Sequence, residues 1–308
     1  MPKTLAMSPE GSGQARMGLR ERFGSGIGVI AVLAATLCWA SAGVIAVKAD
    51  VRGLPLTFWR VLLVAGCFGG LMLIRGERLS VAVLRQATPA GLLFAGSAAM
   101  FFEAVRHTSV GIATIVAALT PVLAMPIAVR WLGERPTATG VACALGATLG
   151  VAMFVAPGYR AADTRPVGLL LSGGSMLCWV VYLFATKRAR SGIGTVQYMT
   201  AMNLSAALVL LPLTLVVDAG SLMVPARSWP WIGLLAILPG FLGHGLLTWA
   251  QPMVALSVSS ILLQGEPVGA ALAGAVFLGE PINAVQAAGI AVAVASLSIL
   301  ARSTVDST

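Results

Sequence analysis

Long apolar runs alternate with short polar breaks along almost the whole chain. A transmembrane helix needs about 20 mainly apolar residues, whereas transmembrane strands are shorter and alternate polar with apolar positions. Helices also pair their backbone groups internally, as lipid requires. The runs predict helices at Gly26–Val47, Leu54–Ile74, Pro89–Val105, Gly111–Trp131, Thr137–Val155, Val167–Ala185, Val196–Val216, Pro230–Trp249, Val254–Phe277 and Ala284–Leu300. The pattern therefore predicts an all-α integral membrane protein with ten transmembrane helices.

The chain contains an internal repeat. Shifting it by 146 residues places Thr108–Glu134 on Val254–Glu280, with a proline and a terminal Leu-Gly-Glu in register. Leu-Cys-Trp occurs at residues 37–39 and again at 177–179. Each half holds five predicted helices, an odd number, so equivalent helices would cross the membrane in opposite directions. We expect two inverted five-helix repeats around a central cavity, which is typical of secondary transporters; chance similarity between runs rich in Leu, Ala and Gly is the alternative.

Polar breaks divide the chain into five segments. Residues 1–24 are polar and basic, without the apolar core of a signal peptide, and are expected to form a disordered cytoplasmic tail. We assign 25–156 to the first repeat, 157–166 to a linker, 167–302 to the second repeat and 303–308 to a cytoplasmic C-terminal tail.

Composition supports a membrane protein. Hydrophobic residues make up 58% of the chain and charged residues only 10%, against about 25% charged in soluble domains. The net charge of +9 would suggest nucleic acid in a soluble protein. Here 13 Lys and Arg fall on one side of the predicted topology and six on the other, with Arg60 inside a helix. This bias places both termini in the cytoplasm, and no nucleic-acid partner is predicted.

The fourth helix of each half carries a recognisable motif, with proline near its middle and Leu-Gly-Glu at its end. In the first half it follows the sequence AVRHTSVG at 104–111. This pattern resembles the EamA-like members of the drug/metabolite transporter superfamily over residues 26–302. The resemblance implies two EamA repeats around a central cavity in the cell membrane. It also implies carriage of small organic solutes, often outward.

Glu266 is the leading functional candidate, because an ionisable group at membrane depth costs about 2.5–3.5 kcal/mol on insertion scales. In the first repeat, the positions equivalent to Glu266 and Gln264 carry neither a carboxylate nor a carboxamide side chain. We predict helix kinks at Pro121 and Pro267; the latter would leave the carbonyl of Leu263 without its usual helical partner. Such a site could bind a cation, an amine or a proton. The alternative is that Glu266 only satisfies neighbouring protein groups.

Aromatic and imidazole side chains supply further cavity candidates. Trp179 and Tyr182 share one face of the sixth helix, and Trp39 holds the equivalent place on the first. Facing inward they would suit an amphipathic solute; tight helix packing is the alternative. His244 could couple proton movement or bind a polar solute, or make a neutral interhelical hydrogen bond. Thr248 lies one turn later on the same face.

Other polar residues are lesser candidates. Arg60 could bind an anionic group of the substrate or extend its head to the outer interface. Glu103 is expected to form an interfacial ion pair, with a gating role as the alternative, and Asn203 is a weaker cavity candidate. Glu134 and Glu280 are expected to cap the helices that follow them.

The sequence lacks the motifs of an enzyme or an ATP-driven pump: it has no phosphate-binding loop, metal-ligand cluster or nucleophile elbow. The four cysteines fall inside apolar runs without a CxxC pair, so no metal or other cofactor is predicted. We predict a secondary exporter of small organic metabolites or amphipathic solutes that works by alternating access, as a monomer or homodimer. Proton coupling through Glu266 or His244 is a hypothesis. A non-transporting membrane sensor or scaffold is the alternative, and a lipid-modifying enzyme a more remote one.

Overall fold

The computed structural model describes residues 26–51, 53–158, 165–217 and 222–306. The expected N-terminal tail and most of the expected linker lie outside these residues. Within them the chain is helical and contains no strand. The helices are α1 Gly26–Ala49, α2 Gly53–Ile74, α3 Val81–Ala104, α4 Val110–Leu132, α5 Ala138–Val155, α6 Pro166–Arg190, α7 Thr195–Val217, α8 Ala226–Ala250, α9 Leu256–Leu278 and α10 Ala284–Asp306.

Among the described residues, nine of these helices are long and apolar enough to cross a membrane. The chain is therefore a multi-pass membrane protein. The exception is α3, which has 24 residues but includes Arg85, Gln86 and Glu103. It begins at Val81, eight residues before the predicted start, where the Ser80 hydroxyl accepts a hydrogen bond from the Val83 amide at 3.2 Å. The sequence prediction required a run of apolar residues, so it left out the first turns of α3, which contain Arg85 but are helical.

Two of the helices, α4 and α9, are broken at corresponding points. The pieces of α4 are Val110–Ala117 and Thr120–Leu132, and those of α9 are Leu256–Leu262 and Gly265–Leu278. Pro121 and Pro267 lie in the first turn of the second pieces, where a missing N–H leaves no internal bond unmade. The carbonyl of Leu263, which we expected to be free, instead accepts a hydrogen bond from the Glu266 amide at 3.0 Å. The chain therefore closes a tight turn at the break.

Both broken helices also end in the same way. Gly133 ends α4 with a φ of 67°, and Gly279 ends α9 with a φ of 71°. Side chains disfavour this left-handed conformation, which glycine adopts freely. The repeated Leu-Gly-Glu motif is thus a helix ending with the same backbone geometry in both copies.

Small residues allow the helices to approach closely. α3 packs against α6 and α7, α2 against α7, α5 against α10, and α1 against α8. A Cβ atom on Gly150 of α5 would lie 2.6 Å from the carbonyl oxygen of Gly289 in α10. A Cβ on Gly91 of α3 would lie 2.7 Å from the Ser205 side chain of α7. At these two points the helices are in direct backbone-level contact, with no room for a side chain.

Candidate functional site

A cavity of about 550 Å³ lies between α1, α2, α3, α4, α6, α8 and α9. Its volume is within the usual range for sites that bind small molecules. The sequence candidates that line it are Trp39, Arg60, Trp179, His244, Gln264, Glu266 and Pro267. The fold thus brings residues from both halves of the chain to one cavity.

Aromatic rings form one wall of the cavity. The rings of Trp39 and Trp179 meet edge to face with centroids 5.8 Å apart, and His244 lies 4.5 Å from Trp39. Phe94 completes the group, 5.3 Å from His244 and 6.5 Å from Trp179. Sequence reasoning missed Phe94, because a phenylalanine within an apolar helix carries no distinguishing signal.

The position of Trp39 depends on an irregular part of α8. Residues Ala236–His244 form a wide π-helical stretch that contains Pro239, which cannot donate a backbone hydrogen bond. The indole Nε1 of Trp39 donates to the carbonyl of Pro239 at 2.9 Å. The indole is therefore held against α8, with His244 at the end of the same irregular stretch.

Two opposite charges face the cavity. Arg60 comes from α2 and Glu266 from α9, and both side chains are half-buried. The guanidinium carbon of Arg60 lies 5.9 Å from the centroid of the Phe94 ring. Within the described part of the chain, neither charged group makes a side-chain hydrogen bond or an ion pair of 4.0 Å or less, although their charges interact at longer range.

Gln264 connects the two broken helices. Its Nε2 donates to the backbone carbonyl of Ala118, at the break in α4. The Thr148 hydroxyl of α5 donates to the same carbonyl at 3.1 Å. Gln264 therefore has a structural partner as well as a place on the cavity wall.

Several sequence candidates lie outside the cavity lining. Tyr182 is fully buried behind the wall, 5.0 Å from the Trp179 ring. Thr248 is buried and donates to the Met199 sulfur at 3.2 Å, and Asn203 donates to the Met199 carbonyl within its own helix at 2.8 Å. Pro121 does not line the cavity, in contrast to Pro267.

Glu103 lies in a separate groove near the end of α3. Its carboxylate is 3.3 Å from Arg106 and 3.1 Å from His107. The side chains of Glu103 and Arg106 are 38% and 54% exposed, and such exposed pairs contribute little stability. The predicted ion pair between Glu103 and Arg106 is therefore formed, and its place at the membrane interface stays a prediction.

One end of the helix bundle is held closed by the carboxylate of Glu134. It accepts hydrogen bonds from the backbone amides of Leu256 and Ser257 at 2.6 and 3.0 Å, and from the Ser257 hydroxyl at 2.7 Å. Glu134 therefore caps α9, and the expectation that it caps the next helix was wrong. The cap of α5 is Thr137, whose hydroxyl accepts from the Gly140 amide.

Lys187, near the end of α6, strengthens this closure. Its ammonium lies 3.8 Å from the Glu134 carboxylate and donates to the carbonyls of Gln251 and Val254, which connect α8 to α9. The side chains of Lys187 and Glu134 are only 17% and 12% exposed. Ends of α4, α6, α8 and α9 thus meet in one polar cluster, which we call the Glu134 latch (Glu134, Lys187, Leu256 and Ser257).

The other end of the bundle differs. The cavity extends to the exposed residues Gly43 and Val110, in the half of each helix remote from the Glu134 latch. Glu280, which follows the second Leu-Gly motif, is exposed, and its carboxylate has no hydrogen-bond or ion-pair partner among the described residues. The expected cap by Glu280 is therefore not formed, and among the described residues this end has no counterpart of the Glu134 latch.

Comparison with known proteins gives a consistent family. The model of the EamA-like transporter family matches residues 26–156 and 166–302. The chain is 26% identical over 205 residues to the threonine/homoserine exporter RhtA of Escherichia coli strain K12, a match that covers 64% of each chain. It is 26% identical over 200 residues to a probable terminal-alkyne amino-acid exporter of Streptantibioticus cattleyicolor, covering 64% of this chain and 66% of that one.

A crystal structure of another protein has the same fold. It is 22% identical in sequence, with a TM-score of 0.76 over 89% of this chain and 96% of the other. At this identity the likeness concerns the fold alone.

Proposed function

The chain belongs to the EamA-like transporter family, and we propose that it exports amino acids or similar small amphipathic solutes across the cell membrane by alternating access. The observation that carries this proposal is the cavity of about 550 Å³, which is lined by aromatic and charged side chains and reaches exposed residues at the end remote from the Glu134 latch. The amino-acid exporters among its relatives support the substrate class.

We also propose that ten helices cross the membrane as two inverted repeats. The matching breaks and glycine endings of α4 and α9 support a repeat. So do the helix contacts: α3 packs on α6, and their equivalents under the repeat, α8 and α1, pack together. Inverted repeats give a transporter two related halves that can exchange conformations around a fixed site.

The difference between the two ends supports alternating access. The Glu134 latch holds one end shut, whereas Glu280, its counterpart in the second repeat, is unpartnered among the described residues. The second state would open the latched end and close the other. With both termini in the cytoplasm, as the distribution of Lys and Arg suggests, the latched end is cytoplasmic and this state faces outward.

Glu266 is the residue that we propose for proton coupling, since it is the carboxylate on the cavity wall. An exporter without a nucleotide-binding motif must use an existing gradient, and a carboxylate that gains and loses a proton can link it to solute movement. Glu266→Gln should then lose the proton movement that accompanies whatever solute exchange remains. A uniporter without coupling would move solute and no protons in both proteins.

The test is counterflow in proteoliposomes that contain the full chain. Vesicles are loaded with unlabelled L-homoserine, and uptake of labelled L-homoserine is measured together with internal pH. We expect saturable exchange in wild type and in the control Glu77→Gln, which changes a carboxylate in the loop after α2. If no amino acid in a full panel is exchanged, the export proposal fails, and a non-transporting sensor becomes the better account.

A further inference from the structure

Arg60 and Glu266 form an unusual pair inside a membrane protein. Both are half-buried and line the same cavity, yet no hydrogen bond or close ion pair satisfies either one among the residues the structure describes. Charges at membrane depth are costly unless they are paired or solvated. The protein thus presents two opposite charges to one space without joining them.

We propose that Arg60 and Glu266 bind the two charged groups of one zwitterion, with Arg60 on its carboxylate and Glu266 on its ammonium group. This inference rests on the proposed function and assigns the recognition of its substrate to two side chains from α2 and α9. A zwitterion brings no net charge, so the loaded cavity keeps the same total charge as the empty one.

The chemistry of the two side chains fits this assignment. A guanidinium offers a planar set of donors that can bind both oxygens of a carboxylate. A carboxylate accepts charge-assisted hydrogen bonds from an ammonium group. An α-amino acid carries both groups on one carbon, so a single small ligand can meet both residues.

The cavity wall defines where the rest of the ligand would lie. Trp39, Trp179 and Phe94 present aromatic surface beside the two charges, and the guanidinium carbon of Arg60 lies over the Phe94 ring, 5.9 Å from its centroid. An apolar or small side chain of the ligand would pack on these rings. Among the described residues of this wall, a ligand with a further charge would find no additional charged partner.

The proposal excludes ligands with only one charge as good substrates. A carboxylic acid without an amine leaves Glu266 unpaired, and an amino-acid ester leaves Arg60 unpaired. A site built to bond a group discriminates strongly against an analogue that lacks it, because its own buried polar atom then loses its partner. We expect each analogue to bind on the order of 10- to 100-fold more weakly than the amino acid.

The experiment measures binding to the purified full chain in lipid nanodiscs by calorimetry. The 20 standard amino acids and L-homoserine are screened first; the tightest ligand is then compared with its methyl ester and with its analogue lacking the α-amino group. For L-threonine the second analogue is 3-hydroxybutyrate. The same series is measured for Arg60→Gln and Glu266→Gln, with Arg75→Gln and Glu77→Gln, in the loop after α2, as matched controls.

We expect Glu266→Gln to abolish the preference for the amino acid over the amine-free analogue while it keeps the preference over the ester. Arg60→Gln should do the reverse, and both controls should behave as wild type. Arg60→Lys should recover part of the preference over the ester, which separates loss of recognition from loss of folding. Equal losses for all three ligands in each variant, or no binding of any amino acid, would overturn the proposal.

The outcome also separates this inference from the proposed function. If counterflow of some solute occurs but binding does not need both charged groups, the zwitterion site is refuted and the transporter remains. If no solute is exchanged, the proposed function itself fails.

Discussion

The side-chain amide of Gln264 donates a hydrogen bond to the backbone carbonyl of Ala118, which lies 146 residues earlier in the chain. The separation is the same as the shift that superposes the two copies of the repeated motif. Each residue stands at the break of its own helix, so this bond joins α4 to α9 at their interruptions. The Ala118 carbonyl is freed by the helix break and Ala118 is buried, so it needs such a partner, because a buried acceptor without one is destabilising.

Replacement of Gln264 by Ala should therefore lower stability. The Ala118 carbonyl keeps the Thr148 hydroxyl as a donor, so we expect a loss of about 1 kcal/mol in the free energy of unfolding. Thermal unfolding in detergent would measure it. Gln197→Ala is the control, because the amide of Gln197 makes only an exposed hydrogen bond at 3.3 Å; equal effects at both positions would refute the bridging role.

Replacement of Glu134 by Gln should weaken the closed end of the bundle. The variant removes the charge that attracts Lys187 and weakens the hydrogen bonds to the Leu256 and Ser257 amides. A reporter cysteine at Ser260, which lines the cavity, is introduced after the four native cysteines are replaced by alanine. A maleimide applied from the latched side should react about tenfold faster in the variant, as expected for loss of a charged hydrogen bond.

Glu280→Gln is the matched control for the latch. Its carboxylate is exposed and has no hydrogen-bond or ion-pair partner in the described parts of the chain, so labelling from the latched side should stay at the level of the unsubstituted background. Unchanged labelling in Glu134→Gln would show that other contacts hold this end closed.

Trp39→Phe tests the contact between α1 and α8. Phenylalanine keeps an aromatic ring but loses the indole N–H that donates to the Pro239 carbonyl at 2.9 Å. We expect a loss of about 1 kcal/mol in stability and weaker binding of any ligand that packs on this wall. Trp131→Phe is the control, because Trp131 is 62% exposed. The measurements are thermal unfolding and calorimetry, and identical behaviour of the two variants would contradict the assigned role.

Gly150→Ala tests the contact between α5 and α10. The added Cβ would lie 2.6 Å from backbone atoms of Gly289 and Ala293, and backbone atoms on a packed helix cannot move aside cheaply. We expect a loss of about 1–3 kcal/mol in the free energy of unfolding. Gly70→Ala has open space around the new Cβ and should be neutral or stabilising, because alanine favours helix by up to about 1 kcal/mol. A neutral Gly150→Ala would show that these helices can separate.

The helical content and the positions of the broken helices could be predicted from the sequence, because they depend on local patterns. Apolar length located the helices, the repeated proline marked the interruptions of α4 and α9, and the repeated Leu-Gly-Glu marked their ends. The start of α3 was set too late, since the charged residue Arg85 sits in a helical turn that an apolar criterion rejects.

Contacts between residues far apart in the chain were harder to predict from the sequence. Glu134 was assigned to the next helix because that helix is adjacent in sequence, whereas its partners lie 122 and 123 residues away. Arg60 could not be assigned to the cavity or to the interface, because the rotation of α2 is set by its packing against other helices. Phe94 was missed because the rotation of α3 is likewise set by its packing against other helices. Only the fold turns it towards Arg60.

The Glu134 carboxylate receives two of its three hydrogen bonds from main-chain amides. Every amino acid except proline carries such an amide, so the identity of the side chain at position 256 matters little to this closure. The Leu256 side chain is nevertheless fully buried, so packing limits what this position accepts. A library randomised at position 256 should therefore return mainly large apolar residues, with proline excluded because it removes the amide that the Glu134 carboxylate needs.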